Sequence, residues 1–209
     1  MKQYRQVAAF VLAGGVSSRM GREKGLLEFG GEPLIARTVR LVEPLVSEVI
    51  VVGAPERYSS LGLSAIVDRD FRSGEDREAV LSPLVGIASA LTASTATWNQ
   101  ILACDLPYLT PEWINWLLGR AVDSEAQVVM PRTPRGVEPL AAVYRGECAA
   151  PIVAALGRGI RKVTDAMAEL RIEFVLEAEW GRHDPDGRVL KNMNTPAEYE
   201  EAKKWRETK

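Results

Sequence analysis

Val7-Ala8-Ala9-Phe10-Val11-Leu12, followed by Ala13-Gly14-Gly15-Val16-Ser17-Ser18-Arg19-Met20-Gly21 and then Lys24, is the stretch from which the fold is read. The apolar run from Val7 to Leu12 has the length and composition of a strand buried on both faces. The glycines after it would let a phosphate approach backbone N–H groups, and Arg19 and Lys24 place positive charge beside them. The stretch therefore reads as a strand that opens into a nucleotide-phosphate cradle. A glycine-rich turn kept for tight geometry alone is the alternative, and the two clustered cations weigh against it.

Two common phosphate motifs do not fit. Gly15 and Gly21 are not followed by Gly-Lys-Ser/Thr, and Gly14, Gly15 and Gly21 do not make G-x-G-x-x-G, so neither a Walker loop nor a dinucleotide fingerprint is present.

Working outward, further apolar runs stand at Val49–Val52, Ala65–Val67, Ile101–Ala103, Val128–Met130 and Leu140–Val143, alternating with helix-like segments. That alternation predicts an α/β fold, a single-domain, three-layer, doubly wound and mostly parallel sheet spanning residues 1–209. Ile35, Val39, Val42 and Val46 recur at helical spacing after Pro33 and predict the first crossover helix. Thr110-Pro111 and Thr195-Pro196-Ala197-Glu198 mark two helix starts, the second with the spacing of a capping box. Arg69 to Glu78 reads as a charged surface loop. Trp113, Trp116 and Leu117 share a helix face and read as packing, and His183 sits in a polar turn rather than at a site.

Composition bounds the function. Of 209 residues 46% are apolar, enough for one sizeable core, and 26 Lys+Arg against 28 Asp+Glu leave a net charge of −2. That balance argues against a chain-wide footprint for nucleic acid or for an anionic membrane. No apolar signal region or membrane-length segment is seen, which predicts a cytoplasmic protein. Cys104 and Cys148 are too few and too isolated for a disulfide framework or a zinc site, and read as packed thiols.

In doubly wound sheets ligands bind beyond the carboxyl ends of the strands, so loops after different strands form one site. The glycine loop follows the first strand, Asp68 the strand at Ala65–Val67, and Asp105 the strand at Ile101–Ala103. In Ala103-Cys104-Asp105-Leu106-Pro107, Pro107 stops further pairing and leaves the carboxylate at the crevice, where it is the first choice for a metal. Mg²⁺ commonly takes one or two carboxylates together with substrate phosphates and water. A capping role for Asp105 is the alternative, and Asp70 competes with Asp68.

These residues carry a resemblance. Leu12 to Lys24 is similar to the signature Leu-Ala-Gly-Gly-x-Ser-x-Arg-Met-Gly-x-Asp-Lys of the molybdenum cofactor guanylyltransferase (MobA) family, with Glu23 where the family usually has Asp. Cys104-Asp105-Leu106-Pro107, Ser82-Pro83-Leu84-Val85-Gly86, Glu138-Pro139-Leu140 and Asn192-Met193-Asn194-Thr195-Pro196 resemble further family motifs, so the likeness runs from Val7 to about Tyr199. Ser82 replaces a usual Gly, and Gly53 stands where many members have Asn.

The resemblance implies a nucleotidyltransferase that uses Mg²⁺ to join GMP from GTP to the terminal phosphate of molybdopterin, releasing pyrophosphate. It implies catalytic parts for Arg19, Lys24 and Asp105, with Asp105 on the metal. It also implies nucleotide contacts from Leu12, Ala13, Gly14, Gly15, Lys24, Asp68, Asp105, Asn192 and Asn194. Arg132 and Arg135 are candidates for the pterin phosphate, and Arg158, Arg161 and Lys162 either bind the anionic pterin or sit in solvent. Molybdenum-insertion proteins and molybdoenzymes are the implied partners. A cytidylyltransferase, another small-acceptor transferase and a noncatalytic nucleotide-binding adaptor are the competing readings.

Overall fold

The computed structural model describes residues 2–13, 23–69, 71 and 82–208. In chain order, β1 (Tyr4–Leu12) leads to α1 (Leu34–Val42), β2 (Val46–Val52), α2 (Pro55–Tyr58), β3 (Ala65–Ile66) and α3 (Pro83–Ala93). Next come β4 (Trp98–Ala103), α4 (Pro111–Val122), β5 (Val128–Thr133), β6 (Gly136–Val137) and β7 (Ala141–Arg145). They are followed by α5 (Ala149–Gly157), α6 (Val163–Ala166), β8 (Ile172–Leu176), α7 (Glu177–Trp180) and α8 (Pro196–Glu207).

The strands form one mixed sheet in the order β3-β2-β1-β4-β7-β5-β6, with β8 also on β5. β1 pairs in parallel with β2 and β4, and β2 with β3, so four strands on one side of the sheet end together. From Val7 onward β1 is buried on both faces. Val7 and Ala9 pack with α4 residues such as Trp113 and Leu117, whereas Ala8, Phe10 and Leu12 pack with α3 and α5 residues such as Ile87 and Ile152. This is the three-layer, doubly wound α/β architecture that the apolar runs predict.

Three expectations are corrected. Leu140–Val143 was expected in a largely parallel sheet, but β7 runs antiparallel to both β4 and β5. The chain between β5 and β7 is too short for the crossover that a parallel strand requires, so it turns back through β6. Val46 does not continue the first helix: α1 stops at Val42, a 3-10 turn spans Glu43–Leu45, and Val46 opens β2. Pro44 explains the stop, because it has no N–H to extend the helix. The strand expected at Ala65–Val67 ends at Ile66, leaving Val67 64% exposed. The expected surface loop from Arg69 to Glu78, with Asp70, lies almost entirely outside the described residues.

The two signalled helix starts form as read. Thr110 Oγ1 accepts from Trp113 N at the start of α4. At α8 the capping box closes both ways, with Thr195 Oγ1 accepting from Glu198 N and the Glu198 carboxylate accepting from Thr195 N. α8 lies against the segments around Leu27, Phe29 and Tyr108 through Ala202, Tyr199 and Trp205. The C-terminal helix thus braces the chain that follows the glycine loop and the chain that follows β4.

Candidate functional site

The carboxyl end of β1 is held from both sides. Ala13 N donates to Val52 O at 2.9 Å, and Cys104 N donates to Leu12 O at 3.3 Å, which fixes the ends of β2, β1 and β4 side by side. Leu12 and Ala13 are both buried there. A Cβ on Gly86 would lie 3.1 Å from Leu12 Cδ1, so a small residue at this position lets the first turn of α3 approach the end of β1. Ser82 caps that turn, its hydroxyl accepting from Val85 N.

Three pieces of chain distant in sequence meet at Lys24. Its ammonium stands 2.9 Å from Asp105 Oδ2 and 2.5 Å from Asn194 Oδ1. Lys24 opens a 3-10 turn (Lys24–Leu26), and Asp105 follows β4. Asn194 is fixed by its backbone N–H, which donates to the Glu198 carboxylate at 2.7 Å, and Met193 N donates to Asp105 O at 3.0 Å. The helix cap that starts α8 is therefore also the mount for a site residue. The Lys24 and Asp105 side chains are 17% and 19% exposed, so their charges are partly withdrawn from water while still open to a ligand. An ammonium has three donors, and among the described residues two of them are spent, on Asp105 and Asn194.

Asp68 differs. Its Oδ1 is buried with no hydrogen-bond partner among the described residues, and burial raises its carboxyl pKa. It lies beside Gly86 in the first turn of α3. An orphaned buried acceptor calls for a donor, and a carboxylate here suits an N–H or O–H rather than a phosphate.

Of the other expected residues, Asn192 is exposed and forms no hydrogen bond with Lys24 or Asp105. Gly14, Gly15 and Arg19 lie outside the described residues. Arg132 stacks on Phe174, 3.9 Å from the ring centroid, whereas Arg135 reaches Leu190 O just before the Asn192–Asn194 segment. Arg161 binds the carbonyls of Leu156 and Ile160, and Lys162 faces Asp165. His183 lies near the Trp116 ring, while Trp113 and Leu117 are fully buried, as packing requires. Burial pushes the Cys104 and Cys148 thiols up to about 12, so both stay protonated.

Two groups had no role in the sequence reading, Glu138 appearing there only within the Glu138-Pro139-Leu140 motif. Glu138 is half-buried, and burial raises its carboxyl pKa against the lowering pull of Arg135 and a Thr133 hydrogen bond, with the Asp105 charge pushing the same way as burial. The Tyr58 hydroxyl contacts both Ala13 and Glu23. No spacing rule reaches the Tyr58 contacts, which are made across the fold, whereas Glu138 meets Arg135 and Thr133 nearby in the chain and feels Asp105 across it.

The strand ends of this doubly wound sheet gather a lysine, a carboxylate and an amide, an arrangement suited to a nucleotide phosphate, and the family that the chain matches makes it a nucleotidyltransferase. More narrowly, residues 9–172 match the family described as the MobA-like NTP transferase domain, and the chain belongs to that family. A relative from Pelotomaculum thermopropionicum, named a probable molybdenum cofactor guanylyltransferase, is 31% identical over 199 residues, covering 95% of this chain and 92% of its own. A protein of the same name from Synechococcus elongatus is 33% identical over 198 residues, covering 92% and 96%. In fold, the chain is similar to molybdopterin-guanine dinucleotide biosynthesis protein A from Archaeoglobus fulgidus, with a TM-score of 0.81 at 22% identity, covering 97% of this chain and 100% of that one.

Proposed function

We propose that this protein transfers GMP from GTP to the terminal phosphate of molybdopterin, giving the guanine dinucleotide cofactor and pyrophosphate. The observation that carries the reading is the meeting of Lys24, Asp105 and Asn194 beyond β1 and β4, in a chain whose relatives are named for this activity. A bond forms between a pterin phosphate oxygen and the α-phosphorus of GTP, and the bond from that phosphorus to the β-phosphate bridge oxygen breaks. The nucleophile is a phosphate already ionised near neutral pH, so no protein base is needed. The protein's task is alignment and charge compensation.

In this reading Lys24 offers an N–H to the developing phosphate charge, and Asp105 and Asn194 hold the ammonium in place. Arg19 adds a second cation by resemblance. Asp68 accepts from the ribose or base rather than from phosphate. Mg²⁺ fits the donor set: the Asp105 carboxylate is an oxygen donor at the crevice, and among the described residues no group of three His, Cys, Asp or Glu side chains forms a dedicated cage. Held by Asp105 and the substrate phosphates, the ion would supply charge neutralisation on those phosphates. No described helix is long and apolar enough to cross a membrane.

The test is incubation of the purified protein with molybdopterin, Mg²⁺ and GTP, CTP, ATP or UTP separately. Product formation with GTP alone supports the reading. Selectivity for CTP overturns the base assignment but keeps the chemistry, and tight GTP binding with no product with any nucleotide supports a noncatalytic adaptor.

A further inference from the structure

Tyr58, the last residue of α2, is fully buried in an apolar cluster with Val11, Ala13, Ile35, Val51 and Cys104. A phenylalanine would fill the same space, so the hydroxyl is the part that needs a reason. It lies 3.1 Å from Ala13 O and hydrogen-bonds the Glu23 carboxylate. Ala13 and Glu23 are the two described residues that flank residues 14–22. Arg57, beside Tyr58, holds the other Glu23 oxygen at 3.3 Å. Burial, reinforced by the Glu23 charge, pushes the Tyr58 phenol far above its ordinary pKa, so it remains a donor at every working pH.

The consequence falls on Lys24. Glu23 is its neighbour, and the backbone there is already turned by Leu26 N donating to Glu23 O and Leu27 N to Lys24 O. Fixing the Glu23 side chain on Tyr58 therefore fixes the point from which the flexible lysine stem departs. Tyr58 also packs with Cys104, the residue before Asp105, so one ring touches the supports of both charges. We propose that Tyr58, acting through Glu23, is a positioning residue that sets the Lys24 ammonium against Asp105. This rests on the guanylyl-transfer reading for its effect on turnover, though not for its effect on GTP affinity.

The experiment is a cycle of Tyr58→Phe, Glu23→Ala, Glu23→Gln and Lys24→Ala, read by pyrophosphate release, by equilibrium GTP binding and by thermal melting. Tyr58→Phe should lower kcat/KM about tenfold, the scale of losing one buried hydrogen bond to a charged group. Glu23→Ala should match it, the Tyr58→Phe/Glu23→Ala double variant should be no worse than either, and Glu23→Gln, which keeps an acceptor, should recover most of the loss. In the Lys24→Ala background, Tyr58→Phe should have no further effect on turnover or GTP affinity. Unchanged kinetics in Tyr58→Phe, or a loss that multiplies with that of Lys24→Ala, overturns the proposal. If Tyr58→Phe fails to fold, Glu23→Ala and Glu23→Gln carry the same comparison. If the wild-type protein forms no product, the guanylyl-transfer reading fails, and the GTP-affinity cycle alone decides the role of Tyr58.

Discussion

Asp105 and Asp68 each lie two residues beyond the carboxyl end of a parallel strand, β4 and β3, yet their surroundings differ in kind. Asp105 faces the Lys24 ammonium at 2.9 Å, with Asn194 sharing that cation. Asp68 has a buried oxygen without a partner among the described residues. The first carboxylate is compensated within the protein, so the charge pattern at β4 is set before substrate arrives. The second is left to be satisfied by what binds. Topology places carboxylates at a crevice, and the groups around each decide what it does there.

The comparison breaks most sharply at Lys24. Lys24→Ala should lower kcat by roughly 10²–10³, the scale for losing one preorganised electrostatic donor, and steady-state pyrophosphate release checks it. Asp105→Asn, which removes the charged ligand itself, should weaken apparent Mg²⁺ affinity by at least roughly 10–100-fold, the scale for losing even an outer-shell group at a metal site, with little change in thermal melting. A metal titration of turnover beside a melt separates the two outcomes.

Asp68→Asn sharpens the contrast from the other side. It should weaken GTP binding by up to about tenfold, since the amide oxygen still accepts but the hydrogen bond is no longer to a charged group, measured by calorimetry. Stability should move the opposite way. Burial raises the Asp68 pKa above its unfolded value, so the native protein holds that proton more tightly than the unfolded chain. The stabilisation is present below the unfolded pKa and is lost as pH rises through the raised folded value, leaving a cost at neutral pH. Asp68→Asn should therefore hold or raise the melting temperature of the free protein at pH 7 by roughly 2 °C, and flatten that acid-side dependence. The smallest effect is expected at the cap. Thr195→Ala should cost about 1 kcal/mol of stability in denaturant unfolding, and loosen Asn194 because Glu198 ties both.

The parallel half of the sheet was legible because its strands are continuous apolar runs, and Asp68 and Asp105 follow from where those runs end. The mixed half was less so. β6 is two residues long, and β8 alternates Ile172, Phe174 and Leu176 with Glu173 and Val175, so neither stands out as a buried run. The antiparallel direction of β7 was readable in principle from the short chain before it. Asn194 at Lys24 follows the motif. Asn192, two residues earlier, is exposed, because the cap that fixes Asn194 does not reach it. Tyr58 acts through contacts across the fold, which spacing along a chain does not encode.

The most direct measurement is the stoichiometry of the reaction: pyrophosphate and pterin guanine dinucleotide quantified together from GTP, Mg²⁺ and molybdopterin, for the wild-type protein and for Lys24→Ala. One pyrophosphate for each dinucleotide in the wild type, with both lost together in Lys24→Ala, is the expected result. Pyrophosphate without dinucleotide, or dinucleotide formed equally well by Lys24→Ala, would contradict guanylyl transfer at the Lys24–Asp105–Asn194 site.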